Sequence, residues 1–232
     1  VLAKFASASM TVAHEAADDE DIAARRSIAG WLFYVPDQVA NMNFYGRCAL
    51  LVAVMFYTFK IFRDTNIFYG DLGGHMLSLV LLPWHEAGHV FFRLLGQFMT
   101  IAGGTIMQHL FPLVLGFVLL VKNRNPFGGA ICLWLLGYSW IYTGWYMHDA
   151  GDPQAMMVSG KSSAEDDGHD FVNIFSYMGG WWLLNATKIG IAVARFGQAV
   201  MLTGIAWGAF MLWQQKANLS DAVFAEGPFD RD

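Results

Sequence analysis

The chain carries apolar runs too long for the interior of an ordinary soluble domain. FMTIAGGTIMQHLFPLVLGFVLLV at 98–121 and FGGAICLWLLGYSWIYTGWYM at 127–147 hold no Asp, Glu, Lys or Arg. A helix rises about 1.5 Å per residue and the hydrocarbon layer is about 30 Å thick, so roughly 20 apolar residues suffice to cross it. Three further stretches approach that length. RCALLVAVMFYTFKIF lies at 47–62, and HMLSLVLLPWHEAGHVFFRLL at 75–95 is interrupted by Pro83. The region 171–213 has room for one full span at 189–213 and a shorter helix. The pattern predicts an all-α polytopic membrane bundle of about four to six transmembrane or re-entrant helices.

Three regions follow from the same pattern. Residues 1–45 form a polar N-terminal arm, with the acidic block AADDEDIAARR, and an interfacial aromatic segment, WLFYV. Residues 46–215 form the membrane domain, and 216–232 a polar tail. Only 14% of the residues are charged against 56% hydrophobic, which places the chain among integral membrane proteins. The net charge of -5 and the absence of a basic face exclude nucleic acid as a partner. Membrane lipid is the expected partner, with a membrane-protein substrate or a larger membrane complex. Cys48 and Cys132 both fall in apolar stretches and read as small hydrophobes.

Loop charges give an expected orientation. Lys60, Arg63, Lys122 and Arg124 are read as flanking one set of helix ends, whereas 148–170 carries Asp149, Asp152, Glu165, Asp166, Asp167 and Asp170 against Lys161. The positive-inside rule then puts the acidic loop on the non-cytoplasmic side.

One polar motif interrupts this apolar background: LLPWHEAGH at 81–89. Side chains four apart share a helix face, so His85 and His89 can grip one metal ion. Glu86 then sits beside the ion, placed to accept a proton from water. Histidines and a carboxylate are expensive in apolar surroundings and mark sites. Pro83, Gly103 and Gly104 are expected to loosen the helix packing enough to admit a polar pocket.

A zinc hydrolase site wants a third protein ligand and one open position. His75, His109, His148, Asp149, His169 and Asp170 are the candidates. The GHD segment is the preferred source: His169 would complete a set of three neutral imidazoles, and Asp170 would ligate instead or orient a ring. Asp149 is next. Depth counts against the choice, because ten residues separate His85 from Leu95 and an ion there would lie roughly 15 Å below that helix end. Either the loop dips inward or the Pro83 segment is a short, shallow helix.

HEAGHVFF, followed by GGTIMQHLFPL, YMHDA and GHDFVNI, resembles a group of bacterial membrane proteins classed with the site-two-protease-like metallopeptidases. The resemblance covers roughly residues 70–180. It implies a bacterial inner membrane location, a zinc ion on His85 and His89, and Glu86 as general base, and it draws attention to Gln108, Asp149, His169 and Asp170. The chain departs from the better-known intramembrane metalloproteases at one point. They take their third ligand from a Leu-Asp-Gly motif, and NRNPFGG at 123–129 has no carboxylate after its Asn-Pro.

The expected function is zinc-dependent intramembrane peptide hydrolysis by a metal-activated water. The alternative is a catalytically silent metal-binding subunit of a larger membrane complex. An iron oxygenase or desaturase is disfavoured, since the chain has no His-x-x-His-His cluster.

Overall fold

A computed structural model describes residues 27–64, 75–155, 160, 162–164 and 168–221. Most of the polar arm and tail, and Glu165, Asp166 and Asp167 of the acidic loop, lie outside the described residues. The chain is all-α apart from one minimal strand pair. A short helix α1 (Ile28–Leu32) is followed by α2 (Asn41–Asp64), α3 (Met76–Phe91) and α4 (Gln97–Phe117). Then come α5 (Pro126–Asp149), α6 (Asp170–Met178), α7 (Gly180–Leu184) and α8 (Ala186–Gln215). The expected division of 171–213 into one span and a shorter element is met by α8 with α6 and α7.

Three segments are long and apolar enough to cross a membrane: Asn41–Arg63, Gln97–Lys122 and Ala186–Asn218. An all-α chain with membrane-crossing helices is thus met among the described residues, with three helices of sufficient length and apolarity. α3 is too short, with 16 residues. At about 1.5 Å per residue it falls short of the roughly 30 Å layer. α5 has the length, but Tyr138, Ser139, Trp140, Tyr142, Thr143, Trp145 and Tyr146 make it less apolar than the three. Pro83 does not break α3, which runs continuously past it.

α5 and α8 form the axis of the bundle. Gly137 and Gly144 of α5 face Gly197 and Gly190 of α8, Gly204 of α8 lies against the backbone of Ala130 and Trp134, and a Cβ at Gly137 would stand 2.5 Å from the Met201 nitrogen. Seven-residue spacing keeps such glycines near one helix face, and small residues there let two backbones touch. Around this pair, Trp134, Tyr138 and Ile141 of α5 pack with Met201 of α8, Val54 and Ile61 of α2, and Leu81 of α3. The Trp134 indole donates to Thr58 Oγ1 at 2.7 Å, satisfying its N–H inside the core.

α2 runs antiparallel to α8. Val39 pairs with Leu219 and Ala40 with Ser220 in the parallel two-residue strands β1 (Val39–Ala40) and β2 (Leu219–Ser220), and Arg47 donates to Gln215 Oε1 at 2.8 Å. α2 is therefore parallel to α5, which corrects the charge reading. Lys60 and Arg63, at the C-terminal end of α2, point towards the same end as the acidic loop that follows Asp149. Lys122 and Arg124 lie at the opposite end with Arg47, whose guanidinium sits 5.9 Å from the Phe127 ring. The four basic residues do not flank one set of ends, so the orientation inferred from them loses its basis.

α3 and α4 form an antiparallel hairpin turned by a 3-10 segment, Phe92–Leu95, and by Gly96 at φ 94, a conformation that favours glycine. Gly88 and Gly103 bring their backbones into contact, with a Cβ at Gly103 only 2.6 Å from the Gly88 oxygen. These glycines tighten the packing where the sequence reading expected them to loosen it.

Candidate metal centre

His85 and His89 lie one turn apart in α3, ring centroids 4.8 Å from each other. Each ring has its Nδ1 committed to an acceptor. His89 Nδ1 stands 2.8 Å from the Thr100 carbonyl oxygen, which can only accept, so that nitrogen carries the proton. His85 Nδ1 stands 3.2 Å from Gln108 Oε1. The amide cannot be the other way round, because Gln108 Nε2 donates to Ser139 Oγ at 2.9 Å and to the Ser139 carbonyl at 3.3 Å. His85 Nδ1 is therefore a donor as well. In their neutral forms both rings leave an unprotonated lone pair at Nε2.

Those two lone pairs meet a carboxylate. Asp170 Oδ2 lies 3.0 Å from His85 Nε2 and 3.5 Å from His89 Nε2, and the three atoms fall within 4.8 Å of one another. Three acceptors facing each other repel unless positive charge stands between them, as an added proton or a cation. Zinc–nitrogen and zinc–oxygen bonds of about 2.0–2.2 Å in a tetrahedral sphere put neighbouring ligand atoms roughly 3.3 Å apart, close to the two distances from Asp170 Oδ2. His85, His89 and Asp170 could thus hold a metal ion.

Gly104 supplies the room. A Cβ built on it would stand 2.7 Å from His85 Nε2 and 2.6 Å from His89 Nε2, in the space a cation would take. The absent side chain, the pinned tautomers and the mixed nitrogen–oxygen donor set fit a zinc-like ion.

Asp170 opens α6, where a carboxylate is favoured by the helix dipole. It arrives through a hooked loop. Asp149, the last residue of α5, accepts from the backbone nitrogens of Gln154 and Ala155 at 2.9 Å through Oδ1. Through Oδ2 it accepts from Ser163 Oγ at 2.7 Å and from His169 Nε2 at 3.1 Å. His169 Nδ1 in turn accepts from the Val172 nitrogen and caps α6. The Tyr146 ring stacks on His169 at 4.2 Å, and its oxygen accepts from the Asp170 nitrogen at 3.3 Å. Burial alone would raise the Asp149 carboxyl, yet these donors, His169 first among them, outweigh it and hold the group below its ordinary value.

The expected residues divide accordingly. Of the two GHD candidates, Asp170 stands with the paired histidines, while His169 spends both ring nitrogens on Asp149 and on the helix cap. Asp149 is the hook of the loop and not a third ligand. Glu86 is exposed and lies outside the ligand-atom group. His75 precedes α3, with its ring against Tyr57, and His109 donates to the Thr105 carbonyl with its ring against Trp140. Both alternatives raised for the depth of the site have a counterpart here, a short helix and a loop that meets it. α3 ends at Phe91, two residues past His89, and the start of α6 reaches in to meet it.

Thr100, Ser139, Thr143 and Tyr146 take part without having been singled out in the sequence. Thr143 Oγ1 lies 3.4 Å from Gln108 Nε2 and completes the amide's surroundings. No spacing signal marks these four residues, because they act from α4 and α5 and not from the helix that carries the two histidines. Comparison with known protein families, with curated proteins and with solved structures gives no match to this chain.

Proposed function

We propose that the protein is a membrane-embedded zinc hydrolase that cleaves peptide bonds, with His85, His89 and Asp170 as the protein ligands and Glu86 as the general base. The observation that carries this reading is the convergence of two Nε2 lone pairs on one carboxylate oxygen, at 3.0 and 3.5 Å. His85, His89 and Asp170 would hold the zinc, which would supply a Lewis acid able to make water a nucleophile at neutral pH. Gln108 and Thr100 hold both imidazoles in the tautomer that leaves Nε2 to the metal. Glu86, next to His85 and exposed, takes the proton from the attacking water and returns it to the leaving amine.

Peptide as the substrate class rests on the resemblance of HEAGHVFF, GGTIMQHLFPL and GHDFVNI to site-two-protease-like enzymes. The same resemblance supports a bacterial inner membrane location and a membrane-protein substrate. Purified protein in detergent should bind one equivalent of zinc, and His85→Ala, His89→Ala or Asp170→Ala should each weaken binding until less than one equivalent is retained once excess metal is removed. Full metal content in any of the three would refute the site.

The second reading, a silent metal-binding subunit of a larger complex, draws on the exposure of Glu86 outside the ligand-atom group. Under it the wild-type protein binds zinc and hydrolyses nothing.

A further inference from the structure

We infer that Asp149 is a positioning residue for the metal centre: by holding His169 it sets where the Asp170 carboxylate stands. This inference rests on the metal reading above and deepens it. His85 and His89 come from one continuous helix and are fixed by Gln108 and Thr100, so two ligands are in place whatever the loop does. The third belongs to a separate element. Asp170 follows a connection that leaves α5 at Asp149 and returns to the same carboxylate twice, through Ser163 and through His169. Every acceptor site on Asp149 that faces the loop is in use: two backbone N–H groups on Oδ1, a hydroxyl and an imidazole on Oδ2.

His169 converts that anchorage into placement. Its Nδ1 accepts from Val172, so its Nε2 carries the proton donated to Asp149. The ring is 1% exposed and stacked on Tyr146, whose oxygen also receives the Asp170 N–H. The residue before Asp170 and the Asp170 N–H itself are thereby both tied to α5. The carboxylate can then meet His85 and His89 only where α5 and its Asp149 put it.

Asp149→Asn tests this with little change of shape. With Oδ1 still accepting from Gln154 and Ala155, the new amide nitrogen faces Ser163 and the N–H of His169. Two donors then oppose each other, and His169 must either leave or switch tautomer and give up the Val172 cap. The probes are zinc affinity by chelator competition and the visible spectrum of the cobalt-substituted protein, both on the full chain in detergent. Loss of an outer-shell partner typically weakens metal binding 10–100-fold. We expect Asp149→Asn to fall about that far and to shift the cobalt bands in the direction given by Asp170→Ala. The double variant should be no weaker than Asp170→Ala alone, because both changes remove the same ligand.

A purely structural role predicts otherwise. Metal affinity and cobalt bands would stay at wild-type values while apo and loaded protein lost thermal stability alike, or the two substitutions would add. Either result overturns the inference. Should Asp149→Asn fail to fold, His169→Phe keeps a ring on Tyr146 and removes the link to Asp149; it should give the same spectral shift, and an unshifted spectrum overturns the inference equally. If the wild-type protein binds neither zinc nor cobalt stoichiometrically, the metal reading itself fails, an outcome distinct from wild-type binding that Asp149→Asn leaves untouched.

Discussion

His85 Nδ1 and Gln108 Oε1 stand 3.2 Å apart, and this contact decides which nitrogen of the histidine is free to bind a cation. The amide is itself oriented by Ser139, so the order runs from α5 through α4 to α3. A polar residue deep in one helix sets the chemistry of a ring on another.

Gln108→Leu should therefore weaken the site without removing a ligand. The leucine has similar bulk, but His85 loses the acceptor that keeps its proton on Nδ1, and the ring is free to present either nitrogen. Zinc affinity should fall roughly 10–100-fold, the range for outer-shell partners of metal-bound histidine. Chelator competition measures it, and an affinity within twofold of wild type would show that the contact is incidental.

Gly104→Ala should remove the ion by occupying its place. On helix propensity alone the change favours the folded state by about 1 kcal/mol, so a loss of metal is not explained by a weaker helix. The added methyl stands 2.6–2.7 Å from both Nε2 atoms and must displace the rings or the cation. The expected result is helical protein, by circular dichroism, with less than stoichiometric zinc. One full equivalent in the variant would place the ion elsewhere.

Much of this was legible in the chain. His85 and His89 share a helix face by spacing alone, and the apolar runs gave α2, α4, α5 and α8 to within a few residues at most ends. Asp170 could be named as a candidate but not separated from His169, because the choice depends on Asp149. That residue lies one loop away and accepts the His169 proton, leaving the neighbouring carboxylate for the metal. Gly103 and Gly104 were visible as a pair, yet their effects differ: Gly103 closes onto the Gly88 backbone, whereas Gly104 leaves room beside His85 and His89. Glycine in a membrane helix can loosen packing or permit backbone contact, and only the partner, here Gly88, decides. α3 is shorter than the apolar run that contains it, because a 3-10 segment and the turn at Gly96 follow Phe91, which a hydropathy run through 75–95 does not register.

Acid should loosen the loop hook. Asp149 is held below its ordinary 3.8 in the folded protein, so its contribution is fully present above the unfolded value and is lost as pH falls through the lower folded one. Amide exchange protection at Gln154 and Ala155, whose N–H groups bond its Oδ1, should hold at neutral pH and drop below about pH 4. Asp149→Asn has no charge to lose and should flatten this acid dependence. Protection that falls equally in both proteins would assign the transition to another carboxyl.

Glu86→Gln separates catalysis from metal binding. Glu86 is not among the convergent ligand atoms, so the amide should leave zinc content and the cobalt spectrum at wild-type values. An amide oxygen at neutral pH cannot take the proton from the attacking water, and loss of a general base typically costs 10²–10⁴-fold in rate. Turnover of a fluorogenic panel of apolar, single-span peptides in detergent should fall by at least about 100-fold on that account. Hydrolysis that persists unchanged in Glu86→Gln would remove the residue from the mechanism. A wild-type protein that binds zinc but cleaves no member of the panel would favour the silent-subunit reading.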